Sequence, residues 1–91
     1  MIKGFKNKAL EELFIKGESR RIGVRYSKRA IRRLDALQQA QRPEDLNMPG
    51  FDFHRLQGKP IRYSIHVNGN FCITFSWDGE NATDIDFEDY H

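Results

Sequence analysis

Three imidazoles, His54, His66 and His91, are the side chains of this 91-residue chain best suited to moving protons at neutral pH, because an unperturbed histidine titrates at about 6.5. His54 stands in the stretch Phe53-His54-Arg55-Leu56-Gln57-Gly58-Lys59-Pro60-Ile61-Arg62-Tyr63, and the sequence closes on Glu88-Asp89-Tyr90-His91. Cleavage of an RNA phosphodiester asks for three things. The 2′-hydroxyl must lose a proton, the charge on the phosphorane must be stabilised, and the leaving oxygen must gain a proton. A compact cationic site with one or two imidazoles can do all three without a metal. His54, Arg55, Lys59, Arg62 and His91 are groups of this kind, and Tyr63 or Tyr90 can stack a base. Which imidazole serves as acid and which as base stays open.

Other chemistries lack their residues. No two histidines have the spacing of a metal site, and no compact Asp/Glu/His set accompanies them. Gly58 sits in a turn rather than a phosphate-cradling loop. The single cysteine, Cys72, excludes an internal disulfide and a cysteine-based zinc site. It has no adjacent base in sequence and reads as a small, half-buried strand residue. No metal or cofactor is expected. No apolar run approaches the ~20 residues of a membrane helix, and Met1 to Lys6 lacks a signal-peptide stretch. One domain spanning residues 1–91, in a reducing cytoplasm, is the expectation.

A net charge of +2 hides a division. Residues 1–42 hold 12 Lys and Arg against 4 Asp and Glu, whereas residues 43–91 hold 3 against 9. Arg20, Arg21, Arg25, Lys28, Arg29, Arg32 and Arg33 form a basic cluster that can meet phosphates or an acidic protein.

The elements that must position these groups follow from periodicity. Ile2 to Phe5 is a short first strand at most. Ala9, Leu10, Leu13 and Phe14 make one stripe of a helix over 8–16, closed by Gly17. Ala30, Ile31, Leu34 and Leu37 make a second helix, capped by Ser27 or starting nearer Gly23 and ending before Pro43. A short basic turn between them suggests a helical hairpin. Residues 43–50 form a connector that Leu46 and Met48 pin to the core. The period then changes to two over Phe51–His54, Ile61–Val67, Phe71–Trp77 and Asp84–Glu88, which gives four strands. A strict two-residue loop at Asn68-Gly69 would place Ile65 opposite Cys72 and mix the faces. An odd loop or a bulge, with Gly69 at positive φ, keeps Ile65, Val67, Phe71 and Ile73 together. Arg62, Ser64, His66, Cys72, Thr74 and Ser76 then share the opposite, polar face. Asp78 to Asn81 is a second hairpin loop. The sum is α+β: two N-terminal helices packed on a small, mostly antiparallel sheet.

Several of these segments resemble one family. Met1 to Phe5, Leu13-Phe14 with Gly17, the 43–50 connector, Phe53 to Gly58, Tyr63-Ser64-Ile65, Asn70 to Phe75 and the closing Glu88-Asp89-Tyr90-His91 are similar to the HigB toxins of the RelE/ParE superfamily, also called plasmid maintenance system killer proteins. The resemblance covers nearly the whole chain. It implies a microbial-RNase-like α+β fold and an mRNA endonuclease (an mRNA interferase) that acts in the ribosomal A site and inhibits translation. It also implies a HigA antitoxin with a helix-turn-helix, whose complex with the toxin represses its own operon and so reaches operator DNA. Within the site it places His54 and His91 as family catalytic histidines, accompanied by Asp89 and Tyr90. The basic residues Arg29, Arg32 and Arg33 on the second helix are then expected to meet ribosomal RNA, and Arg55, Gln57, Lys59 and position 72 to line the RNA path.

Two positions depart from the family pattern. Gln57 stands where many relatives have Lys, and Cys72 where many have an Arg that stabilises the phosphate. Losing one preorganised charged donor costs about 10²–10³ in rate. Arg62 is expected on the face of Cys72, so Arg62, helped by Arg55 or Lys59, is the candidate replacement. The alternatives are a weakened toxin retained as a corepressor with its antitoxin, or a ParE-type inhibitor of DNA gyrase.

Overall fold

The computed structural model describes residues 1–89. Helix α1 spans Lys8–Lys16. Asn7 caps it by accepting the Leu10 N–H at 2.9 Å. Gly17 closes it in the left-handed region, at φ 80°, where a side chain would be strained. Helix α2 spans Val24–Gln39 and starts at Gly23. Ser27 is therefore not the cap: its hydroxyl lies inside the first turns and donates back to the Val24 carbonyl at 3.1 Å. Leu10 and Leu13 of α1, and Ala30, Leu34 and Leu37 of α2, are fully buried.

A 3₁₀ turn, Pro43–Leu46, carries the chain toward the sheet. Leu46 is fully buried, but Met48 remains 38 % exposed. The expectation that Met48 pins the connector fails, because the turn that buries Leu46 points the chain outward two residues later. The connector is held instead by Arg33. Its Nε donates to the His66 carbonyl at 2.9 Å and its Nη2 to the Gly50 carbonyl at 3.2 Å, with the guanidinium 4.3 Å above the Phe51 ring.

The sheet has four antiparallel strands in the order β1-β2-β3-β4: His54–Arg55, Tyr63–Asn68, Phe71–Trp77 and Ala82–Asp89. The expected first strand over 51–54 is reduced to β1. Gly50 at φ 85° and Asp52 at φ 45° interrupt the extended backbone, although the Phe51 carbonyl still accepts from His66 N–H at 2.6 Å. The segment before α1 runs parallel to β4 through two bridges, Ile2 with Ala82 and Phe5 with Ile85. The turn after β2 obeys the parity argument. Ile65 faces Ile73, His66 faces Cys72 and Asn68 faces Phe71, with a bulge after His66 and Gly69 at φ 59°.

The faces separate as alternation requires. Ile65, Val67, Ile73, Phe75 and Ile85 join the helices in one buried cluster. Tyr26 of α2 packs on Phe71, with ring centroids 4.6 Å apart, and Phe71 stacks on Phe87 at 4.8 Å. The helices thus cover one face of the sheet. The other face carries the polar residues.

Candidate active site

Register defines the polar face in rows. One row runs His54, Ser64, Thr74, Asp86 across the four strands, and the next runs His66, Cys72, Glu88. Over the hairpin end lies a cleft of about 380 Å³ lined by residues of this face and its rim, among them Asp52, His54, Leu56, His66 and Cys72.

His54 is exposed at the edge strand. Its Nδ1 lies 2.9 Å from the Asp52 carbonyl. A carbonyl oxygen only accepts, so Nδ1 carries the proton and, in the neutral ring, Nε2 carries the lone pair. The left-handed backbone of Asp52 brings that carbonyl under the ring. His66 is used differently: its Nε2 donates to the Gly69 carbonyl at 3.0 Å and closes the β2–β3 turn.

Cys72 is 9 % exposed on the cleft wall. Burial pushes its thiol pKa up. The Ser64 hydroxyl opposes this, and the Asp52 and Glu88 carboxylates add to it. The thiol stays protonated and neutral at physiological pH, so position 72 brings no charge to the cleft. The charge nearby belongs to Arg62, which rises from the residue before β2 and lies across the polar face. Its Nη1 donates to Ser76 Oγ at 2.9 Å, and its Nη2 to Thr74 Oγ1 at 3.0 Å and the Asp84 carbonyl at 2.9 Å. Thr74 Oγ1 in turn donates to Glu88 Oε2. Among the described residues Arg62 forms no ion pair with a carboxylate.

The remaining expected site residues are distributed more widely. Arg55 pairs with Tyr63 and so leaves the sheet on the side opposite His54. Gln57 and Lys59 are exposed in the loop between β1 and β2. Tyr63 does not offer a stacking surface on the polar side. It is sandwiched between Phe53 and Phe75, at 5.7 and 5.6 Å, on the core side. Asp89 pairs with Phe71 at the end of β4, on the face opposite Glu88. Tyr90 and His91 lie outside the described residues. Arg29 and Arg32 are exposed on α2, across the sheet from the cleft. Arg33 is committed to two carbonyls and to Phe51, and burial beside Arg29 and Arg32 lowers its pKa. These contacts fix the guanidinium against the connector.

Sequence reasoning put Thr74 and Ser76 on this face without a role and gave none to Glu88. Strand parity was the available signal for the face. The partners depend on how far Arg62 reaches, which parity does not encode. Among the described residues no group of three His, Cys, Asp or Glu could hold a metal ion, and no helix is long and apolar enough to cross a membrane.

Two helices on one face of a four-stranded antiparallel sheet form an α+β fold consistent with the RelE-like toxins. Residues 3–91 match the family described as the RelE-like toxin of the type II toxin–antitoxin system HigB. The chain is also 37% identical, over the full length of both sequences, to a Proteus vulgaris protein named Endoribonuclease HigB. The chain belongs to the HigB-like toxin family, the toxin half of a type II toxin–antitoxin pair, and its partner is an antitoxin.

Proposed function

We propose that this toxin is an endoribonuclease that cuts mRNA in the ribosomal A site and so stops translation. The supporting observation is a single open sheet face that carries both an imidazole and an oriented cation, in a chain that aligns end to end with a relative named as an endoribonuclease. His54 presents Nε2 outward for proton exchange, and His91 shares that work. A base takes the 2′-hydroxyl proton as the 2′-oxygen bonds to phosphorus. The P–O5′ bond then breaks, and an acid returns a proton to O5′, leaving a 2′,3′-cyclic phosphate. Arg62 supplies the positive charge toward the phosphorane that Cys72 cannot. Tyr90 positions or stacks a base, and Asp89 orients a neighbour. Gln57 and Lys59 flank the RNA path, while Arg29 and Arg32 meet ribosomal RNA from the other side of the sheet, the side on which Arg55 also contacts RNA. The protein acts in the cytoplasm. Its partner is a HigA-like antitoxin with a helix-turn-helix, through which the pair reaches operator DNA.

One observation favours a second reading. Position 72 is neutral and nearly buried inside the cleft, as in a weakened toxin that survives as a corepressor. Induced expression without antitoxin, followed by primer extension on a defined transcript, separates the two. Growth arrest with cuts inside translated codons, abolished by His91→Ala and reduced about 10²–10³-fold in rate by Arg62→Ala, supports the nuclease. Normal growth with intact mRNA from a soluble, folded protein supports the corepressor, and arrest with intact mRNA and inhibited supercoiling supports a gyrase poison.

A further inference from the structure

Thr74 places a hydroxyl where no solvent reaches, and that hydroxyl stands between two opposite charges. It accepts from Arg62 Nη2 and donates to Glu88 Oε2. A hydroxyl has one proton. With that proton committed to the carboxylate, the oxygen lone pairs must face the guanidinium, so the rotor is fixed. Ser64, the cross-strand neighbour of Thr74, is equally buried, yet its Oγ has no regular hydrogen-bond partner. Ser64 therefore has at most the neighbouring Cys72 thiol to bond, whereas Thr74 is bonded on both sides by charged groups.

The chain of contacts also joins two parts of the face. Its carboxylate end reaches the cleft, because Glu88 faces Cys72 across the strands and its charge acts on that thiol. At the cation end, the guanidinium is held by Thr74, Ser76 and Asp84. These contacts use three of the five N–H donors. Nε–H and one Nη1–H remain without an acceptor among the described residues. A direct carboxylate pair would neutralise the guanidinium, whereas a hydroxyl between the charges orients it and leaves its charge for a phosphate.

We propose that Thr74 is a positioning residue for RNA cleavage. Its hydroxyl couples Arg62 to Glu88, holds the cation beside the His54 row, and keeps the carboxylate turned toward Thr74 rather than toward the RNA. The proposal rests on Arg62 being the phosphate-stabilising charge. The group acts on geometry in the transition state, so its loss lowers the maximal rate and leaves ground-state binding in place.

The test is single-turnover cleavage of a defined mRNA on purified ribosomes by the full-length toxin, read as maximal rate and half-saturating toxin concentration. Thr74→Val keeps the side-chain shape and removes the hydroxyl. The expected result is a maximal rate lower by about tenfold or more, an unchanged half-saturating concentration, rescue by Thr74→Ser, and no further loss when Thr74→Val is added to Arg62→Ala. If Arg62→Ala slows cleavage but Thr74→Val does not, or if Thr74→Val is as damaging without Arg62 as with it, the positioning role is overturned and the Arg62 reading stands. If Arg62→Ala leaves the rate intact, the Arg62 reading falls and takes the proposal with it. Should Thr74→Val fail to fold, Glu88→Gln removes the anchoring charge near the surface. The same rate loss, dependent on Arg62, is then expected, and a parental rate overturns the proposal.

Discussion

On one face of the sheet Ile65, Ile73, Phe75 and Ile85 are fully buried against the helices. On the other face Ser64 and Thr74, from the same strands, are buried just as completely and are polar. The first face is held by removal of apolar area from water, which is non-directional and tolerates small shifts. The second is held by hydrogen bonds from Arg62 to Ser76, Thr74 and Asp84, which are directional and strengthened by the cation. The difference teaches where changes should register. Loss of core volume should appear in stability, and loss of polar partners in rate.

The largest expected effect tests the core side. Phe75 is fully buried, stacks on Tyr63 and lies in the central strand β3. Phe75→Ala should cost about 3–5 kcal/mol, a large share of the roughly 5–14 kcal/mol available to a domain of this size. Urea denaturation followed by circular dichroism would read it as a lower midpoint. A midpoint near the parent's would mean that the core face carries less of the stability than its burial indicates, and the contrast between faces would break.

The next prediction sharpens the contrast from the polar side. Cys72→Arg adds a cation to the cleft wall that His54 lines, directly across from Glu88. Cys72 lines the cleft, so the longer side chain has that space to extend into. Cleavage should rise by about tenfold, and by more when Arg62 is already Ala, since one preorganised charge is worth about 10²–10³ in such sites. Melting temperature should change little. Unchanged cleavage in both backgrounds would show that charge on this face does not limit the reaction.

These two sites also differ in how far the sequence revealed them. The core face was legible because burial alternates with period two, and a bulge after His66 was required to keep Ile65 opposite Ile73. The polar face was legible only as a set of positions. That Arg62 would share a face with Cys72 followed from parity. That it would take Thr74, Ser76 and the Asp84 carbonyl depends on a long side chain crossing two strands, which no one-dimensional pattern records. His54 was singled out by residue type and then by the family resemblance, yet its tautomer is set by a left-handed Asp52, a local backbone state that periodicity does not announce. Tyr63 and Arg33 have packing contacts that the sequence did not announce, for the converse reason. An aromatic or a cation is equally suited to RNA and to packing, and here both are taken up by Phe53, Phe75 and Phe51.

The smallest expected effect lies at the rim, where the turn after β3 meets the N-terminal segment. Asp78 Oδ1 accepts from Glu80 N–H at 2.9 Å and Asn81 N–H at 2.7 Å, and Oδ2 lies 3.2 Å from Lys3 Nζ. The two backbone donors, and then Lys3, lower its pKa from 3.8 to about 2. The folded state therefore favours the carboxylate, and the unfolded state binds its proton first as pH falls. Stability from this group is complete above about 3.8 and is lost as pH drops toward about 2. Asp78→Asn should lower the melting temperature slightly at neutral pH and flatten that part of the acid profile. Because the first causes are backbone N–H groups rather than Lys3, high salt should leave most of the difference in place. A difference abolished by salt would instead assign it to the Lys3 ion pair, and would mean that the N-terminal segment is fastened along β4 by charge as well as by its backbone bridges.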